Sequence, residues 1–337
     1  MKRLTCLALC LCLLAGGCAW GGPKKYTAEF YGAFDTVIQI TAYAESQTDF
    51  DQLAQDAQQQ LTHLSQLYDI YVPYEGVQGL YQINQRAGQG PVPAAQEVID
   101  LLVYSKQCYA LTEGRVNVAM GSVLRLWHDL REQAQSQPDK AALPPQAALE
   151  EAARHCSIDD VVVDAAQNTV ELRDPALRLD VGAVAKGYAV QRVTEQLRQA
   201  GYGAFVLSAG GNVMAAGHPE GRDTWSVGIE DPRQPGELID TVEVADEAVV
   251  TSGGYERFYT VRGKTYHHIV DPATLYPAER MLSATVITGD SALADCLSTA
   301  LFLMEPQQAL DFAHTLEGVR VILVTLDGQV LDSGAPA

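Results

Sequence analysis

The stretch that decides the fold is LRLDVGAVAKGYAVQRVTEQLRQAG, residues 177–201. Its first five residues alternate apolar and charged side chains, a pattern that predicts a strand over residues 177–181. From Val184 onward the apolar residues recur at helical spacing, and Gly201 is the residue type that most readily follows a helix end. The sequence therefore predicts a strand, a glycine-bearing turn and a helix in direct succession.

The turn between this strand and helix, residues 180–183 (DVGA), is a candidate anion-binding site. The first N–H groups of a helix have no partner within the helix, and the positive end of the helix dipole lies there. Lys186 lies in the first helical turn, where a cation is unfavourable unless an anion lies beside it. Two interpretations stay open. Either Lys186 pairs with a bound phosphate, or it is solvated and the turn only connects two elements.

The overall charge of the chain restricts its ligands. The 337 residues include 47% apolar and 19% charged side chains, as in globular proteins, and the formal net charge is −19. An acidic chain does not bind nucleic acid by bulk electrostatics. An anionic ligand would need a local lysine, backbone donors or a metal ion to overcome this field.

The N-terminus resembles a bacterial lipoprotein signal. A basic pair precedes an apolar run over residues 4–14, and a small-residue segment leads directly to Cys18. We expect residues 1–17 to be removed and Cys18 to carry a lipid, which would anchor the protein at the extracytoplasmic face of the bacterial cytoplasmic membrane. Ordinary cleavage and release is the alternative, and the run is too short for a membrane-spanning helix.

The remainder of the chain is predicted to hold one domain. Residues 18–29 are expected to form a tether, and residues 30–337 a single domain. Strands mostly follow one another in the C-terminal half, which favours an α+β fold with mixed or antiparallel sheets flanked by helices. The polar, proline-bearing residues 131–145 are predicted to form a surface loop. The cysteines left after cleavage are scattered and predict neither a disulfide framework nor a zinc site.

A nearly all-apolar helix, SALADCLSTALFLM at residues 291–304, carries a narrow polar stripe. Asp295 and Thr299 lie four residues apart on this stripe, with Ser298 close by, and present hard oxygen ligands on one face. A buried carboxylate must be paired or bound to a metal, and this donor set suits Mg²⁺. The alternative is that Thr299 bonds to the carbonyl of Asp295 while Asp295 meets an arginine.

Two further features are candidates for a site. The tyrosine-rich loop around Tyr71 could stack on a flat ring or cover a core. His267 and His268 follow each other on a predicted strand, so their side chains should face opposite ways. One of them could be a general base, although a histidine on a half-buried strand is often structural. The chain has no P-loop, no G-x-S-x-G nucleophile elbow and no His-x-x-x-His zinc pattern.

Several motifs together resemble the ApbE-type FAD:protein FMN transferases, bacterial flavin-handling proteins that are often lipoproteins. They occur in the family's order over nearly the whole mature chain: NVAMGSVLRLW (117–127), DVGAVAKGY (180–188), SAGGN (208–212), SGGYER (252–257), HHIVDP (267–272) and ADCLSTAL (294–301). The chain departs from the family pattern at Phe34-Asp35-Thr36, where many members have Met-Gly-Thr, at Asn117 in place of Asp, and at Tyr276 in place of Gly.

The resemblance implies bound FAD, a Mg²⁺ ion and a set of site residues. FAD contacts are implied for Phe34, Tyr71, Ala119, Met120, Gly121, Asp180, Lys186 and Ile269, with Asp180 and Lys186 on the dinucleotide. The metal would be held by the Ala183 carbonyl, Asp295 and Thr299. His268 would be the catalytic base.

The resemblance also implies the reaction. FMN would pass from FAD to a Ser or Thr hydroxyl of an extracytoplasmic partner protein, such as a subunit of a respiratory or Rnf-type electron-transfer complex, and AMP would be released. Two alternatives stay open at this point. One is an FAD pyrophosphatase that releases FMN and AMP, and the other is a flavin-binding lipoprotein without turnover.

Overall fold

The computed structural model describes residues 22–234 and 236–334, so the predicted signal segment and Cys18 lie outside the described residues. Its strands are β1 (Lys24–Ala33), β2 (Thr36–Ala44), β3 (Val92–Pro93), β4 (Val161–Asp164), β5 (Thr169–Leu172), β6 (Phe205–Ala209), β7 (Asn212–Ala216), β8 (Trp225–Glu230), β9 (Leu238–Val244), β10 (Glu247–Gly253), β11 (Phe258–Val261), β12 (Lys264–His267), β13 (Met281–Thr288), β14 (Arg320–Thr325) and β15 (Val330–Asp332). Its helices are α1 (Gln47–Tyr68), α2 (Leu80–Gln85), α3 (Gln96–Leu111), α4 (Gly121–Ser136), α5 (Gln146–Ala153), α6 (Ala185–Gln199), α7 (Ser291–Phe302) and α8 (Pro306–Ala313).

The centre of the molecule is an eight-stranded sheet with the order β1-β2-β6-β7-β10-β13-β14-β15. Each neighbouring pair in it is antiparallel. Smaller sheets are formed by β3-β5-β4, by β8-β9 and by β11-β12. The helices pack around these antiparallel sheets, which confirms the predicted α+β class.

The central sheet is covered on both faces. Helices α1, α6 and α7 pack against its strands on one side, where the large core includes the fully buried Phe205, Leu297 and Phe302. A separate apolar cluster joins the β8-β9 hairpin to side chains of β7, β10, β13 and β14. Strand β8 alternates buried and exposed residues, as expected for a strand with one face on a core. Each large apolar side chain buried in this way contributes about 1.5–3 kcal/mol.

The helix predicted from Val184 to Gly201 is confirmed as α6. Gly201 has a φ of +98°, and the N–H groups of Gly201 and Tyr202 bond back to the carbonyls of Arg198 and Leu197. This paired hydrogen bonding is the Schellman motif, in which a glycine takes the left-handed conformation.

The strand predicted over residues 177–181 is wrong. This segment is extended but forms only an isolated parallel bridge, between Arg178 and Met120. Its apolar side chains are buried as the alternation required, with Leu177 and Leu179 at 0% exposure. The alternation predicted correctly which side chains are buried. In the described part of the chain, however, no strand lies beside this segment to form a ladder of backbone hydrogen bonds with it.

Two segment boundaries also differ from the prediction. Strand β1 begins at Lys24 and pairs with β2 as far as Ala44, so the fold includes six residues of the expected tether at 18–29. Helix α4 continues to Ser136, and only the residues after it correspond to the loop expected at 131–145. Its polar face hid the helix in the sequence, since few of its side chains are buried.

No helix in residues 22–234 and 236–334 combines the length and apolar character needed to cross a membrane.

Candidate active site

Helices α6 and α7 touch at Gly187 and Asp295. A Cβ atom on Gly187 would lie 2.3 Å from Asp295 Cβ and 2.3 Å from the Ser291 carbonyl oxygen, so this contact requires glycine. The Gly187 N–H donates to Asp295 Oδ2 over 2.8 Å. The close approach thus seats a carboxylate against the N-terminal end of α6, where the helix dipole favours a negative charge.

Asp295 is buried, with 4% of its surface exposed. Burial raises the pKa of its carboxyl, while Lys186, the Gly187 N–H and Asn212 act in the opposite direction. The cation beside Asp295 is therefore Lys186 rather than the arginine considered in the alternative interpretation.

Hydroxyl groups surround this carboxylate. Ser298 Oγ donates to the Asp295 carbonyl over 3.0 Å, so Ser298 makes the backbone contact that the alternative assigned to Thr299. Ser252 Oγ lies 2.9 Å from Ser298 Oγ and 3.3 Å from Thr299 Oγ1. The result is a compact set of hard oxygen donors.

This donor set fits a magnesium ion that keeps several waters. No group of three or more His, Cys, Asp or Glu side chains that could hold a metal occurs in the described ranges. A cation here would therefore take Asp295 as an acidic ligand and neutral oxygens for the rest. Thr299 offers a hydroxyl, and Ala183, half-buried two residues before α6, offers a carbonyl.

The N-terminus of α6 uses some of the donors that an anion was expected to find. Asp180 Oδ1 accepts from the Gly182 N–H over 2.9 Å, and Asp295 accepts from Gly187. The expectation of free N–H groups is therefore wrong at these two positions, because the chain's own carboxylates occupy them. Lys186 is half-buried, and its Nζ donates to the Gly210 carbonyl over 3.1 Å.

Two tight turns lie side by side at this end of the sheet. Phe34 and Asp35 have φ values of 55° and 51°, and Gly210 and Gly211 have 49° and 84°. Phe34 and Asp35 adopt the left-handed conformation although neither is glycine, so the backbone at this turn is strained. The family pattern described above often has Met and Gly at these two positions. The Phe34 N–H donates to Ser65 Oγ over 2.8 Å, and its carbonyl accepts from Arg257 over 3.5 Å.

The segment Ala119-Met120-Gly121 lies alongside Asp180. The Asp180 N–H donates to the Val118 carbonyl over 2.8 Å, and the Gly121 N–H donates to the Arg178 carbonyl over 2.9 Å. These bonds bring together two parts of the predicted flavin site that are about 60 residues apart in the sequence.

Tyr71 joins the same region through α4. Its ring stacks on His128 with 4.3 Å between ring centroids, and the Arg125 guanidinium lies 5.5 Å from its centroid. The pKa of Tyr71 is raised mainly by burial and, to a smaller extent, by the nearby negative charge of Asp180. Burial also raises the pKa of Asp180 itself, against the opposing effects of His128, Arg131 and Arg257. Tyr71 as a whole residue is 39% exposed, so part of it remains open to a ligand.

The two histidines differ in their surroundings. His267 is the last residue of β12, and its ring bonds to the Ala278 carbonyl over 2.6 Å and accepts from the Ile269 N–H over 3.2 Å. Its role in this arrangement is structural. His268 has a buried Nδ1 without a hydrogen-bond partner in the structure. Burial lowers the pKa of His268 to about 3, with further lowering by Arg257, His267, Arg131 and Lys186. The imidazole is therefore neutral at pH 7.

Two arginines of the candidate site, Arg131 and Arg257, were not among the site residues predicted from the sequence. Arg257 contacts Phe34 and acts on the pKa of both Asp180 and His268, and Arg131 acts on the same two groups. Arg257 ends the SGGYER motif and could have been singled out there. Arg131 lies in the polar part of α4 and carried no sequence signal. Together with Lys186, these arginines bring three cations to the candidate site, alongside the carboxyl groups of Asp180 and Asp295. An anionic ligand of an acidic protein needs such local cations.

Several known proteins are similar to this chain in sequence and in fold. The ApbE family pattern matches residues 34–323. FAD:protein FMN transferases of Klebsiella pneumoniae and Treponema pallidum are each 32% identical, over 251 and 268 residues, covering 74% of this chain and 75% and 72% of theirs. The crystal structure of the ApbE protein from Thermotoga maritima superposes with a TM-score of 0.81 at 28% identity, covering 92% of this chain and 97% of that one.

A flavin transferase ApbE from Vibrio cholerae has the same fold, with a TM-score of 0.76 at 23% identity over 92% of this chain and 98% of that one. The motifs that suggested the family from the sequence lie within the matched residues, and those around the candidate site are brought together by the fold. On this evidence the chain belongs to the ApbE family.

Proposed function

We infer that the protein is an FAD:protein FMN transferase. The observation that carries this inference is Lys186, whose charge acts on the pKa of both the buried Asp295 carboxyl and His268, while Arg257 and Arg131 also act on His268. Cations, a candidate metal ligand and a candidate base thus act on one another. A diphosphate needs the first two, and a hydroxyl nucleophile needs the third.

We propose that FAD binds with its flavin part against Tyr71, Ala119-Met120-Gly121 and the turn at Phe34, with Ile269 beside it. The open part of the Tyr71 ring offers a stacking surface. Lys186 would hold the diphosphate through a charge-assisted hydrogen bond, in place of its present bond to the Gly210 carbonyl. Asp180 would contact the dinucleotide through its carboxyl group, whose pKa is raised by burial.

In the reaction, the hydroxyl oxygen of a Ser or Thr on the acceptor protein bonds to the phosphorus next to the riboflavin part of FAD. The bond from this phosphorus to the bridging oxygen breaks, and AMP leaves with that oxygen. His268 takes the hydroxyl proton, since its imidazole is neutral at pH 7 and a hydroxyl is a poor nucleophile without a base. Lys186 and Arg257 offset the negative charge that collects on the phosphate oxygens.

A magnesium ion would be held by Asp295, Thr299 and the Ala183 carbonyl. When bound, it neutralises phosphate charge that the net-acidic chain would otherwise repel. The partner is proposed to be an extracytoplasmic subunit of a respiratory or Rnf-type electron-transfer complex, reached by an enzyme anchored through Cys18.

One assay tests the function. The protein is incubated with FAD and Mg²⁺, with and without the unflavinylated subunit of an Rnf-type complex. A transferase makes covalent flavin on the subunit together with AMP. Release of free FMN and AMP regardless of the subunit would identify a pyrophosphatase. Intact FAD in both samples would mean that the protein binds flavin without turnover.

A further inference from the structure

A cavity of about 490 Å³ opens beside Lys186, between the central sheet and the β8-β9 hairpin. Val213 and Val249 line it from the sheet, and Val227, Gly228 and Glu230 line it from β8. Its other lining residues come from the two adjacent turns and the SGGYER segment: Asp35, Thr36, Lys186, Gly210, Gly211, Thr251, Tyr255, Glu256 and Arg257. The cavity therefore begins at the residue proposed to hold the diphosphate and extends toward β8.

The cavity is distinct from the proposed flavin site. Of the residues proposed to act on FAD, Lys186 and Arg257 line it, and the turn at Phe34 borders it through Asp35. The Tyr71 loop, the Ala119-Met120-Gly121 segment, Asp180 and Ile269 are absent from the lining. A two-substrate reaction needs a second approach to the diphosphate, and this cavity supplies one.

The charges in the cavity do not suit a second anion. Asp35, Glu230 and Glu256 bring three carboxylates, against the two cations Lys186 and Arg257. Once Lys186 is engaged by the FAD diphosphate, the remaining lining is net acidic. A further phosphate or nucleotide group would be repelled, whereas an uncharged segment of polypeptide would not.

Strand β8 offers such a segment a way to bind. Among the strands of the described ranges, β8 pairs with β9 alone, so one of its edges has no strand partner. Gly228 contributes no side chain where the strand lines the cavity, and the side chain nearest to it is that of the exposed Leu238. An extended segment can add to a free edge through main-chain hydrogen bonds, with small pockets for alternate side chains.

From these observations we propose that the cavity is the acceptor subsite. An uncharged, extended segment of the acceptor protein adds to β8 and brings its Ser or Thr hydroxyl to the Lys186 end, where His268 takes the proton. This inference rests on the proposed transferase function and adds to it the place where the partner binds.

Filling the cavity tests the proposal. Gly228→Trp adds a large side chain at the cavity wall, where the nearest atoms are the side-chain tips of Leu238, which is 62% exposed and free to move. Ser226→Trp is the matched control, because Ser226 lies on the same exposed face of β8 and outside the lining. Glu230→Trp is a second filling variant if Gly228→Trp lowers the melting temperature.

The measurements are FAD affinity, by flavin-fluorescence titration, and the concentration of unflavinylated Rnf-type subunit that gives half-maximal transfer. We expect the filling variants to raise that concentration by about tenfold or more, with unchanged FAD affinity and no effect of Ser226→Trp. Weakened FAD binding in the filling variants would assign the cavity to FAD, and an unchanged half-maximal concentration in both would place the acceptor elsewhere. Absence of transfer by the unsubstituted protein would instead refute the function itself.

Discussion

At the scale of single residues, the adjacent histidines His267 and His268 have different surroundings. Both ring nitrogens of His267 form hydrogen bonds with backbone groups. Its ring packs edge-on against the ring of Phe302, with 5.4 Å between ring centroids. His268 leaves a buried nitrogen unpaired and is surrounded by cations. A buried nitrogen without a hydrogen-bond partner lowers the stability of the fold, and such a group in a protein often has a catalytic or ligand-binding role. This difference makes His268 the candidate base and His267 a support for the turn that carries it.

The first prediction separates these roles. His268→Ala should keep FAD binding but slow FMN transfer by about 10²–10⁴-fold, the usual effect of removing a general base. His267→Ala should slow transfer far less and instead lower the melting temperature, because the Ala278 and Ile269 backbone groups lose their partner. Single-turnover appearance of covalent flavin on the acceptor, read by in-gel fluorescence, measures both. The opposite ranking would make His267 the base.

The second prediction concerns pH. Because burial and the charges of Arg257, His267, Arg131 and Lys186 hold the pKa of His268 at about 3 in the free protein, its imidazole stays neutral well below an ordinary histidine pKa of about 6.5. The acid limb of kcat/KM should therefore lie far below pH 6.5. The negative diphosphate of bound FAD favours the protonated ring, so the acid limb of kcat should lie at higher pH. A kcat/KM limb near 6.5 would contradict this.

At the scale of elements, the site is built where α6 and α7 cross. Gly187 lets the helices approach until Asp295 reaches the backbone of α6, and the next residue toward the N-terminus, Lys186, projects to the Gly210 turn. The helix end thus holds an internal anion on one side and a cation on the other. This explains how a lysine is tolerated in the first turn of α6, where the dipole alone would disfavour it.

The third prediction tests the cation. Lys186→Met should weaken FAD binding by about 1–3 kcal/mol, the range for removing one partner of a buried hydrogen bond, without loss of folded protein. Arg192→Met on the same helix is a matched control, because Arg192 is 42% exposed and paired with Glu195. Fluorescence titration at fixed ionic strength measures the affinities. Equal affinity in Lys186→Met and the unsubstituted protein would show that Lys186 does not hold the diphosphate.

The fourth prediction tests the metal site on α7. Asp295→Ala should abolish the Mg²⁺ dependence of transfer and the direct binding of Mn²⁺ as a spectroscopic probe, since the acidic ligand is gone. Asp311→Ala, an exposed carboxylate on α8, should leave both unchanged. Circular dichroism would check that each variant is folded. Normal Mn²⁺ binding by Asp295→Ala would exclude Asp295 as a ligand.

At the scale of the whole molecule, the chain is net acidic but gathers Lys186, Arg131 and Arg257 at the candidate site. The central sheet provides two adjacent turns at one end, and the helical layer and the β8-β9 hairpin approach that end from opposite faces. The proposed FAD site and the proposed acceptor cavity share Lys186 and Arg257. Long-range repulsion by the net charge of −19 would oppose FAD at low salt, so the local cations and a metal are needed to hold the anion.

The fifth prediction concerns the anchor. Cys18 lies outside the described residues, and its lipid attachment is proposed from the signal-like residues 1–17 alone. In cells, Cys18→Ala should move the protein from the membrane fraction to the soluble extracytoplasmic fraction, because the lipid would supply the apolar attachment. Cys156→Ala is the control. Retention of Cys18→Ala in the membrane fraction would contradict the proposal.

Much of the chain could be predicted from local pattern. The helix α6 with its Gly201 end and the polar stripe on α7 were evident from the sequence and are present. Periodicity, helix ends and turn residues are properties of neighbouring residues, so the sequence by itself determined these elements. The order of the motifs also determined the family.

Only the tertiary structure decided how these pieces act. Asp295 meets Gly187 across 108 residues of sequence, and Arg257 meets Phe34 across 223. The extended segment at residues 177–181 lacks a strand ladder because no second strand lies alongside it, which its own alternation could not reveal. The pKa of His268 depends on burial and on cations from α4, α6 and the SGGYER segment. Such effects arise from groups that are close in space and distant in sequence, and the packing of the sheet and helices alone brings them together.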